Sequence, residues 1–110
     1  MFGFNFRANY KSMTPDEVKT ELKDDKNIIL LDVRTREEYS GGHIPKSILI
    51  PLDELDRRAE SELKDKGAEI IVYCRSGGRS ASAASMLTNL GYTNVCNMMG
   101  GIMSWKYEVE

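Results

Sequence analysis

Short apolar runs alternate with helix-forming segments along this chain, and this alternation limits the possible folds more than any other feature. Four runs have the length and β-branched character of buried strands: 28–33, 47–50, 69–73 and 95–98. Helix signals occur in the segments between or after them: 14–24, 35–40, 53–64, 80–90 and a short stretch after Gly100-Gly101. Strands that alternate with helices form parallel sheets with helices on both faces. The sequence therefore predicts an α/β fold.

The length and charge of the chain exclude several classes of protein. With 110 residues it is long enough for one domain that folds unaided. Its net charge of -2 gives no overall positive field for nucleic acid or for an anionic membrane surface. No apolar run reaches about 18 residues, the length that a membrane-spanning helix needs. We therefore expect neither nucleic acid nor a membrane as a partner.

The first 13 residues have no clear hydrophobic period, although they include three phenylalanines and Tyr10. Residues 1–13 are interpreted as an N-terminal extension that either adds a strand to the sheet or packs against a partner, and residues 14–110 as a single domain. The extension lacks the basic leader and sustained apolar core of a signal peptide. Cys74 and Cys96 are the two cysteines, whereas small secreted domains usually carry several pairs. A cytoplasmic location with reduced thiols is expected.

One loop combines a nucleophilic side chain with groups that bind anions. Cys74 follows an apolar strand, and the pair Gly77-Gly78 leads into a helix. Paired glycines allow successive N–H groups to point into one concavity, and the helix N-terminus adds further donors. Arg75 and Arg79 add positive charge, which favours the thiolate form of the cysteine. The loop is interpreted as a nucleophile facing a small-anion pocket; the alternative is an ordinary turn with an inert, buried thiol.

The same loop, Cys74–Ser80, resembles the active-site loop of the rhodanese, or thiosulfate sulfurtransferase, family. Other stretches resemble further signatures of that family, in the same order: Leu31–Arg34, Glu38-Tyr39, Gly42–Pro45, and Gly100-Gly101 followed by Trp105. The resemblance extends from about Thr14 to Trp105. It implies a three-layer α/β/α rhodanese-like domain with a mostly parallel sheet of about five strands.

The resemblance also implies sulfurtransferase activity. Cys74 is then the catalytic nucleophile, which takes a sulfane sulfur from thiosulfate or a similar donor and becomes a persulfide. The sulfur passes on to a thiol or to cyanide, and a small redox protein is one candidate for the thiol acceptor. Arg75 and Arg79 are expected to bind the small anionic sulfur donor. For Arg75, whose side chain can point outward, an exposed loop charge is an equal alternative.

The remaining loop residues are also assigned to substrate binding. Gly77 and Gly78 set the shape of the backbone, and Ser76 and Ser80 donate hydroxyl hydrogen bonds or cap the helix. Capping is the favoured role for Ser80. No metal or organic cofactor is expected, because one histidine and two distant cysteines do not make a ligand set.

Several residues outside the loop are interpreted as structural. Asp32 and Arg34 are expected to form a supporting network near the pocket rather than to act as catalysts. His43 is expected to be a hydrogen-bonded structural residue, because a thiolate that the loop already stabilises needs no base. Cys96 is expected to be a buried, unreactive thiol rather than a resolving one.

The sequence departs from the family at one visible point. After His-Ile-Pro the family usually has Gly-Ala, whereas this chain has Lys46-Ser47. A lysine must then accept the backbone angles that the glycine served. We expect this turn to affect substrate preference more than the fold.

Other functions fit parts of the pattern. A cysteine phosphatase related to this fold has five residues between its cysteine and arginine, whereas four separate Cys74 from Arg79. The shorter loop suits one sulfur atom better than a tetrahedral phosphoryl group. An arsenate reductase is a further enzyme alternative without specific support. A noncatalytic interaction or sensing module is the alternative from another class, although such domains often lose the cysteine.

Overall fold

The computed structural model describes residues 10–25 and 27–110, and these form one parallel sheet covered by helices. Its strands are β1 (Lys11–Met13), β2 (Ile29–Asp32), β3 (Ile48–Leu49), β4 (Ile70–Tyr73) and β5 (Val95–Met98). Its helices are α1 (Pro15–Asp24), α2 (Arg36–Ser40), α3 (Leu52–Glu62), α4 (Gly78–Asn89) and a 3-10 turn at Ile102–Ser104. The strand order is β1-β5-β4-β2-β3, and every neighbouring pair is parallel.

Strand β4 lies at the centre of the sheet because all four of its side chains are apolar enough to be buried on both faces. Each residue from Ile70 to Tyr73 has essentially no exposed surface. Its neighbours are β2, with Leu31 opposite Val72, and β5, with Cys96 opposite Ile71. Continuous apolar runs of this kind are typical of parallel strands that are covered on both sides.

Two apolar clusters, one on each face of the sheet, complete the three layers. The first cluster joins the sheet to α3 and α4 and includes Leu31, Val72, Leu55, Ala83 and Leu87. The second joins it to α1 and the C-terminal turn and includes Val18, Ile44, Ile71, Tyr73 and Trp105. The α/β/α prediction and the parallel sheet of five strands are confirmed. Among the described residues, no helix is both long enough and apolar enough to cross a membrane.

Residues 10–13, from the segment whose structure the sequence left open, belong to the sheet. Lys11–Met13 form the edge strand β1, which pairs with β5. Tyr10 packs against the first apolar cluster. The extra-strand alternative therefore holds for this part of the segment, and the sheet begins before the expected boundary at residue 14. The three phenylalanines of the segment lie outside the described residues.

The helix starts follow the sequence signals closely in two cases and differ in others. Thr14 and Glu17 close a capping box at α1, and Thr35 and Glu38 close another at α2, as predicted. Helix α4 begins at Gly78, two residues earlier than expected, because the turn is completed at Gly77. The stretch after the second glycine pair forms a single 3-10 turn rather than a longer helix.

Lys46 adopts the left-handed backbone conformation that a glycine would adopt at the same position. Its φ is +70°, in a region that residues with a Cβ atom rarely adopt. The turn is held on both sides by tyrosines. The Tyr73 hydroxyl donates to Ser47 Oγ at 3.1 Å and accepts from Ile44 N–H at 3.1 Å, and the Tyr39 hydroxyl donates to Ser47 O at 2.7 Å. The lysine therefore retains the expected turn at a local conformational cost.

We predict that Lys46→Gly raises the free energy of unfolding by about 0.5–1 kcal/mol, because relief of the left-handed strain exceeds the extra backbone entropy that glycine loses. Urea denaturation measures the change. Lys46→Ala is the control, since it removes the same charge and side chain but keeps a Cβ atom. Equal stabilities for the two variants would contradict the strain explanation.

Candidate active site

The predicted anion-binding loop lies at the carboxyl edge of the sheet, between β4 and α4. Cys74 directly follows β4, and the chain turns through Gly77 into the first residue of α4, Gly78. Gly77 has a φ of +114°, which glycine adopts without steric cost. The carboxyl edge of a parallel sheet is where α/β proteins usually bind ligands. The fold therefore brings the cysteine, the glycine pair and a helix N-terminus together.

The Cys74 thiol is almost fully enclosed and lies within hydrogen-bond distance of loop donors. Its exposed fraction is 1%. The backbone N–H of Gly77 points at Sγ with an N···S distance of 3.1 Å, and the Ser80 hydroxyl oxygen lies 3.4 Å from Sγ. The Gly77 N–H and the Ser80 hydroxyl are therefore close enough to donate to a sulfur anion at Cys74.

The pKa values of the two cysteines shift in opposite directions because their surroundings differ. Burial raises the pKa of Cys74, but hydrogen bonds from the Ser80 hydroxyl and from the N–H groups of Ser80, Gly77 and Ser76 lower it more, so that its pKa lies below the ordinary value. Cys96 is equally buried on β5, and burial raises its pKa to about 11. Only Cys74 therefore combines burial with donors that favour the thiolate.

Ser80 is part of the site, but the capping role favoured from the sequence is wrong. Helix α4 begins at Gly78, with Gly77 as its N-cap, so Ser80 is the third residue of the helix. Its hydroxyl oxygen accepts from the Cys74 thiol at 3.4 Å and donates its single proton to the carbonyl oxygen of Gly77 at 3.2 Å. When Cys74 is a thiolate, that proton can rotate to the sulfur instead, which is the bond that lowers the pKa of Cys74. The early start of the helix therefore turns a presumed cap into a group that contacts the sulfur.

The two arginines of the loop have different surroundings. Arg75 is exposed to solvent. Arg79, the second residue of α4, is partly buried, and its guanidinium makes two hydrogen bonds to the Glu38 carboxylate at 2.7 Å and 3.0 Å. The side-chain bond from Arg79 is the main cause that lowers the pKa of Glu38 to about 2. Both arginines were assigned to anion binding from the sequence, with an exposed loop charge as the alternative for Arg75, and the structure shows that their surroundings differ.

Asp32 and Arg34 form a buried ion pair at the end of β2. Arg34 Nε and Nη2 donate to the Asp32 carboxylate at 3.0 Å and 2.7 Å, and Nη2 also donates to Gly42 O at 2.8 Å. The exposed fractions are 0% for Asp32 and 5% for Arg34. Each charge is thus enclosed and satisfied by its partner. The pair connects β2 to the turn after α2, as a structural network would.

His43 is held by contacts with Tyr39 and Glu110. Its ring stacks on Tyr39 with 3.8 Å between centroids, and its Nδ1 lies 3.0 Å from Tyr39 O. Its backbone exchanges two hydrogen bonds with Glu110. These contacts give the ring a packing role.

A structural support for the loop comes from the C-terminal turn, which the sequence interpretation did not connect with the cysteine. Ile102 N–H donates to Cys74 O at 2.9 Å, and Met103 N–H donates to Arg75 O at 3.1 Å. Gly101, with a φ of +63°, lies so close that a Cβ atom there would overlap the backbone of Arg75 and lie 2.6 Å from Cys74 O. The Gly100-Gly101 pair was the available signal, because adjacent glycines often mark a close approach of two backbones.

A groove of about 460 Å³ lies beside the loop and has a mainly apolar lining. Arg79 lines it together with Val33, Leu52 and Met86. Its size is within the range of small-molecule sites. Among residues 10–25 and 27–110, no group of three or more histidine, cysteine or acidic side chains is placed to hold a metal ion.

Comparisons with known proteins find relatives that cover most of this chain. A family model described as Rhodanese-like domain matches residues 14–108. A protein named Sulfurtransferase from Allochromatium vinosum is 34% identical over 90 residues, which cover 82% of each chain. The putative sulfur carrier protein YrkF from Bacillus subtilis is 38% identical over 92 residues, covering 84% of this chain and 49% of that protein. A crystal structure of a rhodanese-like domain protein from Staphylococcus aureus has a TM-score of 0.82 at 36% identity and covers 91% of this chain and 96% of that chain.

We predict that Gly101→Ala destabilises the domain by about 3 kcal/mol or more, because the added Cβ is strained at positive φ and overlaps the loop backbone. Thermal or urea unfolding measures the loss. Gly78→Ala is the matched control: no heavy atom lies within 4 Å of its Cβ position, and φ there is not in the left-handed region. Comparable losses in both variants would show that the close approach at Gly101 is not the cause.

The second prediction concerns the pH dependence of thiol reactivity. Because the pKa of Cys74 is lowered and that of Cys96 is raised, iodoacetamide should label Cys74 at a lower pH than Cys96. Ser80→Ala removes a hydrogen bond to the thiolate, so the midpoint of Cys74 labelling should move to higher pH. Mass spectrometry of the two cysteine peptides follows both rates. Ser82→Ala, at an exposed position of the same helix, should leave the midpoint unchanged; an equal shift would argue against a direct Ser80 effect.

Proposed function

This chain belongs to the rhodanese-like domain family, and we propose that it transfers a sulfane sulfur through a persulfide on Cys74. The comparisons support a sulfurtransferase role in general terms. The donor in this proposal is thiosulfate or a similar small anion, and the acceptor is a thiol or cyanide. The observation that carries the proposal is the enclosed Cys74 sulfur with the Gly77 N–H at 3.1 Å and the Ser80 hydroxyl at 3.4 Å.

In the first half-reaction, the Cys74 thiolate attacks the outer sulfur of the donor. A new S–S bond forms at Cys74, and the S–S bond of thiosulfate breaks. Sulfite leaves with the electron pair of the broken bond. The hydrogen-bond donors that lower the pKa of Cys74 favour its thiolate form and can hold the negative outer sulfur afterwards.

In the second half-reaction, an acceptor thiolate attacks the outer sulfur of the persulfide. The bond between that sulfur and Cys74 breaks, and Cys74 returns as a thiolate with the electron pair. A protein thiol, such as that of a small redox protein, is one acceptor in this proposal. The relative named as a putative sulfur carrier protein supports a protein partner in sulfur transfer.

The loop residues divide into two roles in this proposal. The N–H groups of Ser76, Gly77 and Ser80 and the hydroxyl of Ser80 surround the sulfur. Gly78 allows the tight turn into α4, and exposed Arg75 meets the incoming anion. Arg79 lies at the side of the loop, where Glu38 holds its guanidinium. The buried pair of Asp32 and Arg34 supports the adjacent strand end.

A cytoplasmic location is part of the proposal. Cys74 and Cys96 are both free and buried. A reducing compartment keeps the reactive thiol available between turnovers.

We predict that incubation with thiosulfate adds the mass of one sulfur atom to Cys74 and none to Cys96, because only Cys74 has thiolate-stabilising donors. Intact-protein and peptide mass spectrometry detect the adduct, and sulfite release with cyanide as acceptor gives the turnover. Cys74→Ser should abolish both signals, whereas Cys96→Ser should retain both.

The same assay separates the alternatives. Hydrolysis of an aryl phosphate without sulfite release would indicate a phosphatase. A folded protein without either activity would indicate a noncatalytic module. Equal sulfite release by the wild type and Cys74→Ser would refute the persulfide mechanism.

A further inference from the structure

Glu38 performs a second task besides closing the capping box of α2. Its Oε1 accepts from Thr35 N–H at 3.0 Å, and its own N–H donates to Thr35 Oγ1 at 3.2 Å, which is the expected box. The same carboxylate also accepts from both terminal nitrogens of the Arg79 guanidinium, at 2.7 Å and 3.0 Å. One carboxylate is therefore shared between a helix start and the catalytic loop, 41 residues along the chain.

The capping box alone does not explain the contact with Arg79. Glu17 occupies the same position in the box of α1, where its Oε1 accepts from Thr14 N–H at 2.9 Å. Within residues 10–25 and 27–110, the Glu17 carboxylate has no ion pair to an arginine or lysine. Two glutamates thus share one local motif, and only Glu38 has the additional link to the loop.

Arg79 is placed to influence any anion bound at the loop. It lies between Gly78, the first residue of α4, and Ser80, whose hydroxyl contacts the Cys74 sulfur. Among the causes that raise the pKa of Arg79, the bond to Glu38 is the largest, and the charge of Cys74 also contributes. The exposed fractions of 37% for Arg79 and 27% for Glu38 show that solvent only partly screens the pair.

We propose that Glu38 determines the charge selectivity of the donor site by holding the Arg79 guanidinium beside the catalytic loop and offsetting its positive charge. An anionic donor then meets a nearly neutral pair rather than an unpaired cation. The groups that attract the anionic donor are then exposed Arg75 and the backbone N–H groups of the loop. Glu38 is in this sense a positioning residue, and the inference depends on the proposed sulfur transfer at Cys74.

The proposal makes a quantitative distinction between donors of different charge. Thiosulfate carries two negative charges, whereas an alkyl thiosulfonate carries one, and Coulomb energy is proportional to that charge. Glu38→Gln removes the negative charge but retains an N3 side chain that closes the capping box. We expect KM to fall about fivefold for thiosulfate and about twofold for methanethiosulfonate, with kcat changed by less than about twofold. Added salt should reduce both gains, because it screens the charge.

A double-mutant cycle tests whether Arg79 mediates the effect. The local charge is about zero in the wild type, positive in Glu38→Gln, negative in Arg79→Gln, and zero again in the double variant. If charge is the cause, KM for thiosulfate should fall in Glu38→Gln and rise in Arg79→Gln. In the double variant it should return near the wild-type value. Glu17→Gln is the matched control, because it alters a capping box without the arginine link, and its KM should not change.

A binding measurement keeps this inference separate from the proposed function. In Cys74→Ser, which has no nucleophilic sulfur, titration calorimetry measures thiosulfate affinity with and without Glu38→Gln. We expect about fivefold tighter binding with the second substitution. Unchanged or weaker thiosulfate binding would overturn the role of Glu38 even if the wild type transfers sulfur. A KM for thiosulfate that is higher in the double variant than in both single variants would overturn it as well. A wild type without sulfur transfer, combined with the expected tightening, would reject the enzyme proposal and leave an anion-binding site.

Discussion

The site depends on hydrogen bonds made by both the N–H groups and the carbonyl groups of the loop that follows β4. A peptide group is planar, so turning the Ser76 N–H toward the Cys74 sulfur turns the Arg75 carbonyl of the same peptide group outward, next to the carbonyl of Cys74. Outward carbonyls that are buried need their own donors. Ile102 and Met103 supply these donors to Cys74 O and Arg75 O, and the missing side chain of Gly101 allows the approach. The C-terminal turn thus keeps the donors of the loop directed at the sulfur.

Charges near the site are arranged in pairs at different depths. Asp32 and Arg34 are fully enclosed, so each needs the other to compensate for lost hydration. Glu38 and Arg79 are partly exposed, so their pairing limits the field at the mouth of the loop. The sulfur itself is stabilised mainly by neutral hydrogen-bond donors. A pocket of this type can stabilise negative charge without a bare cation in contact with the nucleophile.

Local patterns in the sequence predicted the elements well, because each depends on neighbouring residues. The apolar run of β4 and the capping boxes at Thr14 and Thr35 are examples, and both boxes formed as expected. The position of Cys74 at a strand end followed from the same reasoning. The early start of α4 was missed because it depends on the positive φ of Gly77, which moved Ser80 from a cap to a sulfur contact.

Contacts between distant parts of the chain were less accessible from the sequence. The capping pattern accounted fully for Glu38, so nothing local indicated its bond to Arg79. The support of the loop by the C-terminal turn likewise joins residues that approach only after the sheet has formed. Lys46 was different, because the family pattern has a glycine there and so drew attention to the backbone angles of this turn, and the lysine has a φ of +70°.

The placement of the two thiols in different apolar clusters has a consequence for oxidative damage. Cys74 packs with the cluster under α3 and α4, and Cys96 with the cluster under α1, so the sheet separates their surroundings. If peroxide converts Cys74 to a sulfenic acid, Cys96 is not positioned to condense with it and form a protective internal disulfide. Recovery of the enzyme then requires a thiol from outside the domain, in competition with irreversible oxidation to the sulfinic acid.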